Sequence, residues 1–291
     1  MKYCGRIFSD HELEFIRNTA LEPGISRREL SRQICQKFGW LKPDGGLKDM
    51  SCRVALLRMA KDGVVQLQPI KPRRCGLHPI ARTPETDPKL PIIHPAGQLR
   101  SIRLELVTSK TSSRLWNEYI DRYHYLGHKT LPGAQLRYFA FSEEGLLALF
   151  GFGAAAWKVA PRDDFIGWSA SQREANLHLV INNARFLILP WVQSQHLASK
   201  LLGLVARRLA TDWLDRYGYS PVLLETFVEK ERFAGTCYRA ANWIFLGDTK
   251  GRGKLDRTHA NAQPIKSIWT LPLKKHFREV LNNPLDKNEC I

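Results

Sequence analysis

Nowhere in the 291-residue sequence do about 18 uninterrupted apolar residues occur, the length a helix needs to cross a bilayer. A membrane-spanning role is therefore not expected. The opening MKYCGRIFSDHELEF has no apolar core ahead of its first acidic residues, so no secretory leader is expected and the expected compartment is the cytoplasm. The six cysteines, Cys4, Cys35, Cys52, Cys75, Cys237 and Cys290, include no Cys-x-x-Cys pair and no histidine at zinc-ligand spacing. That argues against a zinc module and for reduced thiols. Internal repeats and long low-complexity tracts are also missing. Negative charge is scarce: 28 Asp and Glu stand against 44 Lys and Arg, a net charge of +16. A surface that basic draws polyanions by counterion release and long-range steering. Nucleic acid is the partner this predicts; solubility alone is the plainer account of the same charge.

Two capping boxes mark the first helices. In Ser9-Asp10-His11-Glu12 and Ser26-Arg27-Arg28-Glu29 the serine side chain accepts a backbone N–H and the glutamate reaches back, opening helices through about Ala20 and Phe38. Leu13 and Ile16, then Leu30, Ile34 and Phe38, give each helix one face to bury. A third helix is expected from Asp49 to Lys61, with Cys52, Leu56 and Met59 turned inward, broken by Asp62-Gly63 and followed by a strand at Val64–Leu67. Three short helices, a turn and a strand predict a winged helix-turn-helix over residues 1–69, with the third helix in the major groove. Lys48, Ser51, Arg53 and Arg58 would then approach DNA, with Arg27 and Arg28 near a phosphate. A small helical protein-docking module is the alternative for the same pattern.

From residue 70 to 97 prolines recur with Lys71, Arg73 and Arg74, which excludes helix interiors and central strands and predicts an extended, stiff connector. Residues 98–273 have the alternating rhythm of an α/β (α+β) domain, with 274–291 as a tail. Strands are expected at 101–107, 136–141, 146–156, 184–189 and 222–228, the second and third joined as a hairpin through Ser-Glu-Glu-Gly. A helix capped by Ser112 or Ser113 should run to Tyr123. A longer one, Leu197 to Tyr217, should bury Leu201, Val205, Leu209 and Trp213 and end at Gly218. Residues 161–164 read as irregular. CYRAANWIFLG, residues 237–247, reads as a short helix entering an apolar strand.

The order of elements, and the run from Asn183 to Gly247, resemble the GNAT acetyltransferase fold: strand, phosphate-cradling turn, long helix, strand, then a helix bearing a tyrosine. More closely, RYHYLGH (122–128), GAQLRYF (133–139), IGWS (166–169), NNARFLILPWV (182–192), LLETFVE (223–229), GTCYRAANW (235–243) and GRGK (251–254) resemble the Druantia anti-phage system protein A family. LKDMSCR (47–53) and the N-terminal helices fit the same family. The resemblance implies a role in phage defence or in mobile elements, with DNA and other defence-system proteins as partners.

The resemblance to GNAT enzymes implies coenzyme A bound at a turn of the form Gln/Arg-x-x-Gly-x-Gly/Ala, whose glycines let backbone N–H groups close on pyrophosphate. Here the stretch is Gln193-Ser194-Gln195-His196-Leu197-Ala198, and His196 stands in the place of the first glycine. That makes acetyl-CoA a doubtful cofactor. Tyr238 matches the tyrosine that protonates the departing thiolate in such enzymes. The rival reading is phosphodiester chemistry, nuclease or transposase-like, with Tyr238, Glu225, His124 and Asp163 as nucleophile, metal ligands or proton shuttle, and Mg²⁺ or Mn²⁺ as cofactor. Each residue also has a structural role open to it. Glu225 interrupts an apolar strand and needs a partner, for which Arg185 is the obvious candidate. His124 suits a helix cap, Asp163 a surface pair with Arg162, and Tyr238 a packed phenol. Lys250, Arg252, Lys254 and Arg257 surround two glycines that permit close backbone approach to phosphate. The leading expectation is a DNA-binding protein with strand-processing activity; an acyl-CoA-dependent N-acyltransferase and a non-catalytic DNA adaptor are the alternatives.

Overall fold

The computed structural model describes residues 1–42, 45–68, 80–251 and 263–283. The chain divides into two compact units, Met1–His78 and Pro79–Ile291.

The first unit begins with a hairpin of two very short strands, β1 (Lys2–Tyr3) and β2 (Arg6–Ile7), followed by α1 (Asp10–Ala20), α2 (Arg27–Lys37) and α3 (Asp49–Lys61). The first capping box forms in full, while in the second only the serine half forms among the described bonds. Ser9 Oγ accepts the Glu12 amide while Glu12 Oε2 accepts that of Ser9, and Ser26 Oγ accepts the Glu29 amide. Phe8, Leu13, Ile16, Leu30, Ile34 and Met59 form the core. Arg6 ties the hairpin to it, pairing with Glu12 at 2.6 Å and donating to the Phe38 carbonyl. The strand expected at Val64–Leu67 does not form. The Val64 amide closes α3 on Met59 O, Val65 is buried as a core plug, and Arg17 Nε donates to Val64 O. With its groups committed to the ends of α1 and α3, this stretch has no strand to pair with. Between α2 and α3 the chain is not a tight turn but a loop pinned by a Leu41–Leu47 bridge.

In the second unit the elements are β3 (Arg103–Leu106), α4 (Lys110–Tyr123), β4 (Gln135–Ser142), β5 (Gly145–Ala154), α5 (Ala160–Ile166), α6 (Ala170–Asn176), β6 (Val180–Ile188), α7 (Leu197–Tyr217), β7 (Leu223–Glu229), α8 (Thr236–Ala240), β8 (Ile244–Asp248), β9 (Lys266–Pro272) and α9 (Phe277–Asn282). They build a mixed seven-stranded sheet in the order β3-β4-β5-β6-β7-β9-β8. Neighbours are antiparallel except β6 and β7, which run parallel, so α7 must carry the chain back between them. Leu201, Val205, Leu209 and Trp213 are buried on that helix, and Gly218, at φ 77°, ends it in the left-handed conformation that glycine adopts freely. The parallel pairing spans only Val180–Leu223 to Asn182–Glu225, although both strands run on. A gap therefore opens between them.

Three expectations need correction. Ser109, not Ser112 or Ser113, is the N-cap of α4; Ser112 is its reciprocal partner, so the helix starts a turn earlier. Residues 161–164 are helical in α5, where Pro161 occupies the first turn that needs no proline N–H, and Gly167 at φ 81° stops the helix. The strand β9 and the helix α9 were not anticipated, and β9 lies between β7 and β8.

Part of the proline-rich stretch is bonded along the second unit. Glu118, 5% exposed on α4, accepts from the Thr83 amide and from the Thr83 and Thr86 hydroxyls, and Arg122 pairs with Asp87 at 2.7 Å. Further along, Ile92 bridges Val192 and the Ala96 amide donates to Gln195 O. Burial alone would raise the Glu118 pKa, but the bonds from Thr86 and Thr83, with the charge of Arg122, outweigh it and hold the carboxyl below its usual 4.5. A folded-state pKa below the unfolded one stabilises above the unfolded value and ceases to do so as pH falls. Glu118→Gln should therefore cost about 1–3 kcal/mol at neutral pH. In denaturant titrations that cost should shrink as pH falls below 4.5; a pH-independent deficit would contradict the assignment.

Candidate functional site

A cavity of about 520 Å³ occupies the gap between β6 and β7. Asn183, Phe186 and Thr226 line it from the strands, Tyr123 and His124 from the end of α4, and Cys237 and Tyr238 from α8. Tyr238 is 7% exposed and donates to Asn183 Oδ1 at 3.2 Å. Asn183 is itself fixed, its Nδ2 donating to Arg185 O and its carbonyl accepting from the Thr226 hydroxyl. Burial first, then neighbouring Cys237, pushes the Tyr238 phenol above its ordinary pKa, so it keeps its proton at neutral pH.

His124 ends α4, and its Nδ1 accepts the Leu126 amide at 3.2 Å, which leaves the proton on Nε2. Burial and the charge of Arg185 lower its pKa to about 4, so the ring is neutral. It stacks on Tyr125 at 4.9 Å, and Tyr125 meets Phe233 and the guanidinium of Arg232. The cavity thus has an aromatic wall and neutral hydrogen-bond donors.

Behind that wall lies a row across three strands: Arg137 on β4, Gly151 on β5 and Arg185 on β6 are register partners and share one face. Trp116 of α4 covers the glycine so closely that a Cβ there would sit 3.0 Å from its ring. The indole is therefore seated between two arginines about 10 Å apart, two strand spacings. Arg185 is 8% exposed; among the described residues its Nη1 reaches only the Ala184 carbonyl and its Nε has no partner. No carboxylate pairs with either arginine among the described residues.

Of the four residues expected to act together, the cavity unites Tyr238 and His124. Glu225 and Asp163 belong to a separate buried group. Arg162, fully buried, bonds Glu225 Oε2 at 2.8 Å and Asp163 Oδ1 at 2.7 Å; the Ala156 amide donates to Glu225 Oε1, and Trp168 Nε1 to Asp163. The expected Glu225–Arg185 pair is absent because pairing of β6 with β7 stops at Asn182–Glu225, and Arg185 lies on the diverging part. Nor is Asp163 a surface residue, being 9% exposed. The described residues hold no group of three or more His, Cys, Asp or Glu side chains that could bind a metal ion.

In the first unit Arg28 and Arg58 are exposed, while Arg27, Lys48, Ser51 and Arg53 are half-buried. Arg53 is paired with Asp49 at 2.9 Å. The outer face of α3 also exposes Met50, Val54 and Leu57. Lys250 is exposed, whereas Arg252, Lys254 and Arg257 lie outside the described residues. Sequence reasoning passed over Arg137 and read Arg185 only as a partner for Glu225, although each interrupts an apolar strand just as Glu225 does.

One parallel strand pair inside an otherwise antiparallel sheet, a long helix crossing between them, a cavity where they part and a tyrosine on the next helix define an α/β domain of acetyltransferase-like architecture. The chain belongs to the Druantia protein DruA family, whose model matches residues 61–278. Among solved structures it is similar to an acetyltransferase of Bacillus subtilis in complex with CoA, at 8% identity over 60% of this chain and 100% of that one, with a TM-score of 0.34. A probable acetyltransferase of Staphylococcus epidermidis shares 8% identity over 60% and 99%, TM-score 0.38. FeeM, an N-acyl amino acid synthase from uncultured soil microbes, shares 14% over 64% and 96%, TM-score 0.38. No curated protein matches. No helix of the described residues is long and apolar enough to cross a membrane.

Proposed function

We propose that the chain is a nucleic-acid-binding component of phage defence, holding an anionic strand against the cavity between β6 and β7. The observation that carries this reading is Arg185. A buried cation without a counter-ion is costly, and a phosphate brought by a ligand would supply one. The +16 charge draws such a ligand in, and membership of the Druantia protein DruA family supports the defence role. His124, Tyr125, Phe233 and Tyr238 offer ring faces to a base out of its stack, with neutral donors for its edge. Any strand processing falls to Tyr238 and His124; if the chain is instead an adaptor, Tyr238→Phe leaves defence intact. The helix-turn-helix role of α2 and α3, with Arg28 and Arg58 as its exposed cations, belongs to the same proposal.

A second reading, N-acyl transfer, is favoured by the cavity itself, which lies in the slot where the resemblance implies a pantetheine arm. Two features oppose it. His196, at φ 62°, occupies the turn before α7 where glycine would be needed, and residues 92–96 are bonded along that turn.

Arg185→Gln separates structure from function. It should weaken binding of a labelled single-stranded oligonucleotide about tenfold in anisotropy titrations, while folding stability holds or rises because an unpaired buried charge has gone. Wild-type affinity should fall linearly with the logarithm of salt. Saturable acetyl-CoA binding by calorimetry, with no oligonucleotide binding, would overturn the nucleic-acid reading in favour of acyl transfer.

A further inference from the structure

At the other end of α4 from His124 lies a second concavity, of about 430 Å³, lined by Ser109, Lys110, Ser113, Arg114, Arg137 and Arg216. We propose that this is a phosphate-binding site, in which Lys110, Arg114, Arg137 and Arg216 surround the anion at the first turn of the helix.

Four cations line one hollow, and none of them pairs with a carboxylate among the described residues. Arg137 is half-buried, and after burial itself the charge it feels most is another cation, Arg216, so its pKa is drawn down. Its side chain is nonetheless fixed. Nη1 donates to Asn117 Oδ1 at 2.9 Å, Nη2 to Ser113 Oγ at 2.8 Å, and the guanidinium lies 5.2 Å from the Trp116 ring centre. Like charges gathered and held without an acid are a cost to the free protein that a bound anion relieves.

The backbone adds to this. The box between Ser109 and Ser112 satisfies the Ser112 amide, and the Ser113 amide returns to Ser109 O. The amides of Lys110 and Thr111 precede any intrahelical acceptor and project from the positive end of a 14-residue helix. Forked guanidinium groups and an ammonium lining one hollow, at the end of a helix whose first amides have no intrahelical acceptor, suit the several oxygens of a phosphate better than a carboxylate.

The phosphate can come from a nucleic-acid strand or from a small phosphorylated molecule. A strand source rests on the function proposed above. In that case α4, about 21 Å long at 1.5 Å per residue, is the ruler between this hollow and the cavity bordered by His124.

The test uses the full chain with inorganic phosphate in calorimetry and with a labelled single-stranded oligonucleotide in anisotropy titrations, comparing wild type with Arg114→Glu/Arg216→Glu. Both residues are exposed, so folding should persist, and melting curves check it; Arg114→Gln alone is the milder companion. The expected result is wild-type phosphate binding weakened at least about tenfold by the double substitution, oligonucleotide competing with phosphate, and a salt slope lower by about 1. Phosphate binding lost in the variant while the oligonucleotide neither binds nor competes would uphold the site with a small-molecule source and sink the strand reading. Phosphate binding that is absent from wild type, or equal in the variant, would overturn the site even if oligonucleotide binding persists.

Discussion

Replacing Arg162 with Met should lower the stability of the second unit by about 3–5 kcal/mol, the usual cost of breaking a buried ion pair from one side. The residue is fully buried and makes bonds to Glu225, to Asp163 and to the Ala156 carbonyl, with its guanidinium 5.5 Å from the Trp168 ring centre. Asp163 retains the Val159 amide, Trp168 Nε1 and Arg173 after the change. Among the described residues Glu225 retains only the Ala156 amide and becomes a carboxylate without a counter-charge.

The pH dependence has a definite sign. Burial already pushes Glu225 above the carboxylate value of 4.5, against the pull of Arg162. A raised folded-state pKa favours the fold below the unfolded value and loses that advantage as pH rises. Without Arg162 the pKa rises further, so the variant's deficit should widen from about pH 4.5 toward neutrality in urea titrations. Arg162→Met/Glu225→Leu should recover much of the loss, since an apolar pair replaces an ionic one. A pH-independent deficit, or a double variant no better than the single, would show that Arg162 acts by packing and not by charge.

Gly235→Ala should be nearly as damaging, at about 2–5 kcal/mol, combining a left-handed backbone with overpacking. Gly235 has φ 71°, and a Cβ there would lie 2.9 Å from three atoms of the Trp269 ring. That ring has little freedom to retreat, being 3% exposed and bonded through Nε1 to Ser267. Because the Gly235 carbonyl accepts the amides of Tyr238 and Arg239, the strain reaches the cavity. Gly167→Ala provides the control: φ is 81° but nothing lies within 4 Å of the added carbon, so only the backbone term of about 1 kcal/mol applies. Melting temperatures that fall equally in the two variants would refute the clash.

The helices were legible where local chemistry decides them. Ser9 with Glu12, Ser26 with Glu29, the apolar face of α7 and Gly218 are signals contained within a turn or two of chain. The strand after α3 failed because Val64–Leu67 has the right residues but no partner, its Val64 carbonyl being taken by Arg17, 47 residues away in sequence. Ser109 was overlooked as a cap because three serines in five residues compete for the place and only the fold chooses. The site was legible in part. Tyr238 and His124 line the same cavity, but the partner of Glu225 could not be read, because where two parallel strands stop pairing is not written in either strand. The arginine row was hidden for the same reason: Arg137, Gly151 and Arg185 become neighbours only through the register of three strands.

The interior position of β9 sets the order in which the second unit can be completed. Until the ribosome has passed Pro272, β7 lacks its antiparallel neighbour and β8 has no strand beside it. A nascent chain halted in the segment before Lys266 would present the unpaired edge of β7 to any extended peptide that encounters it.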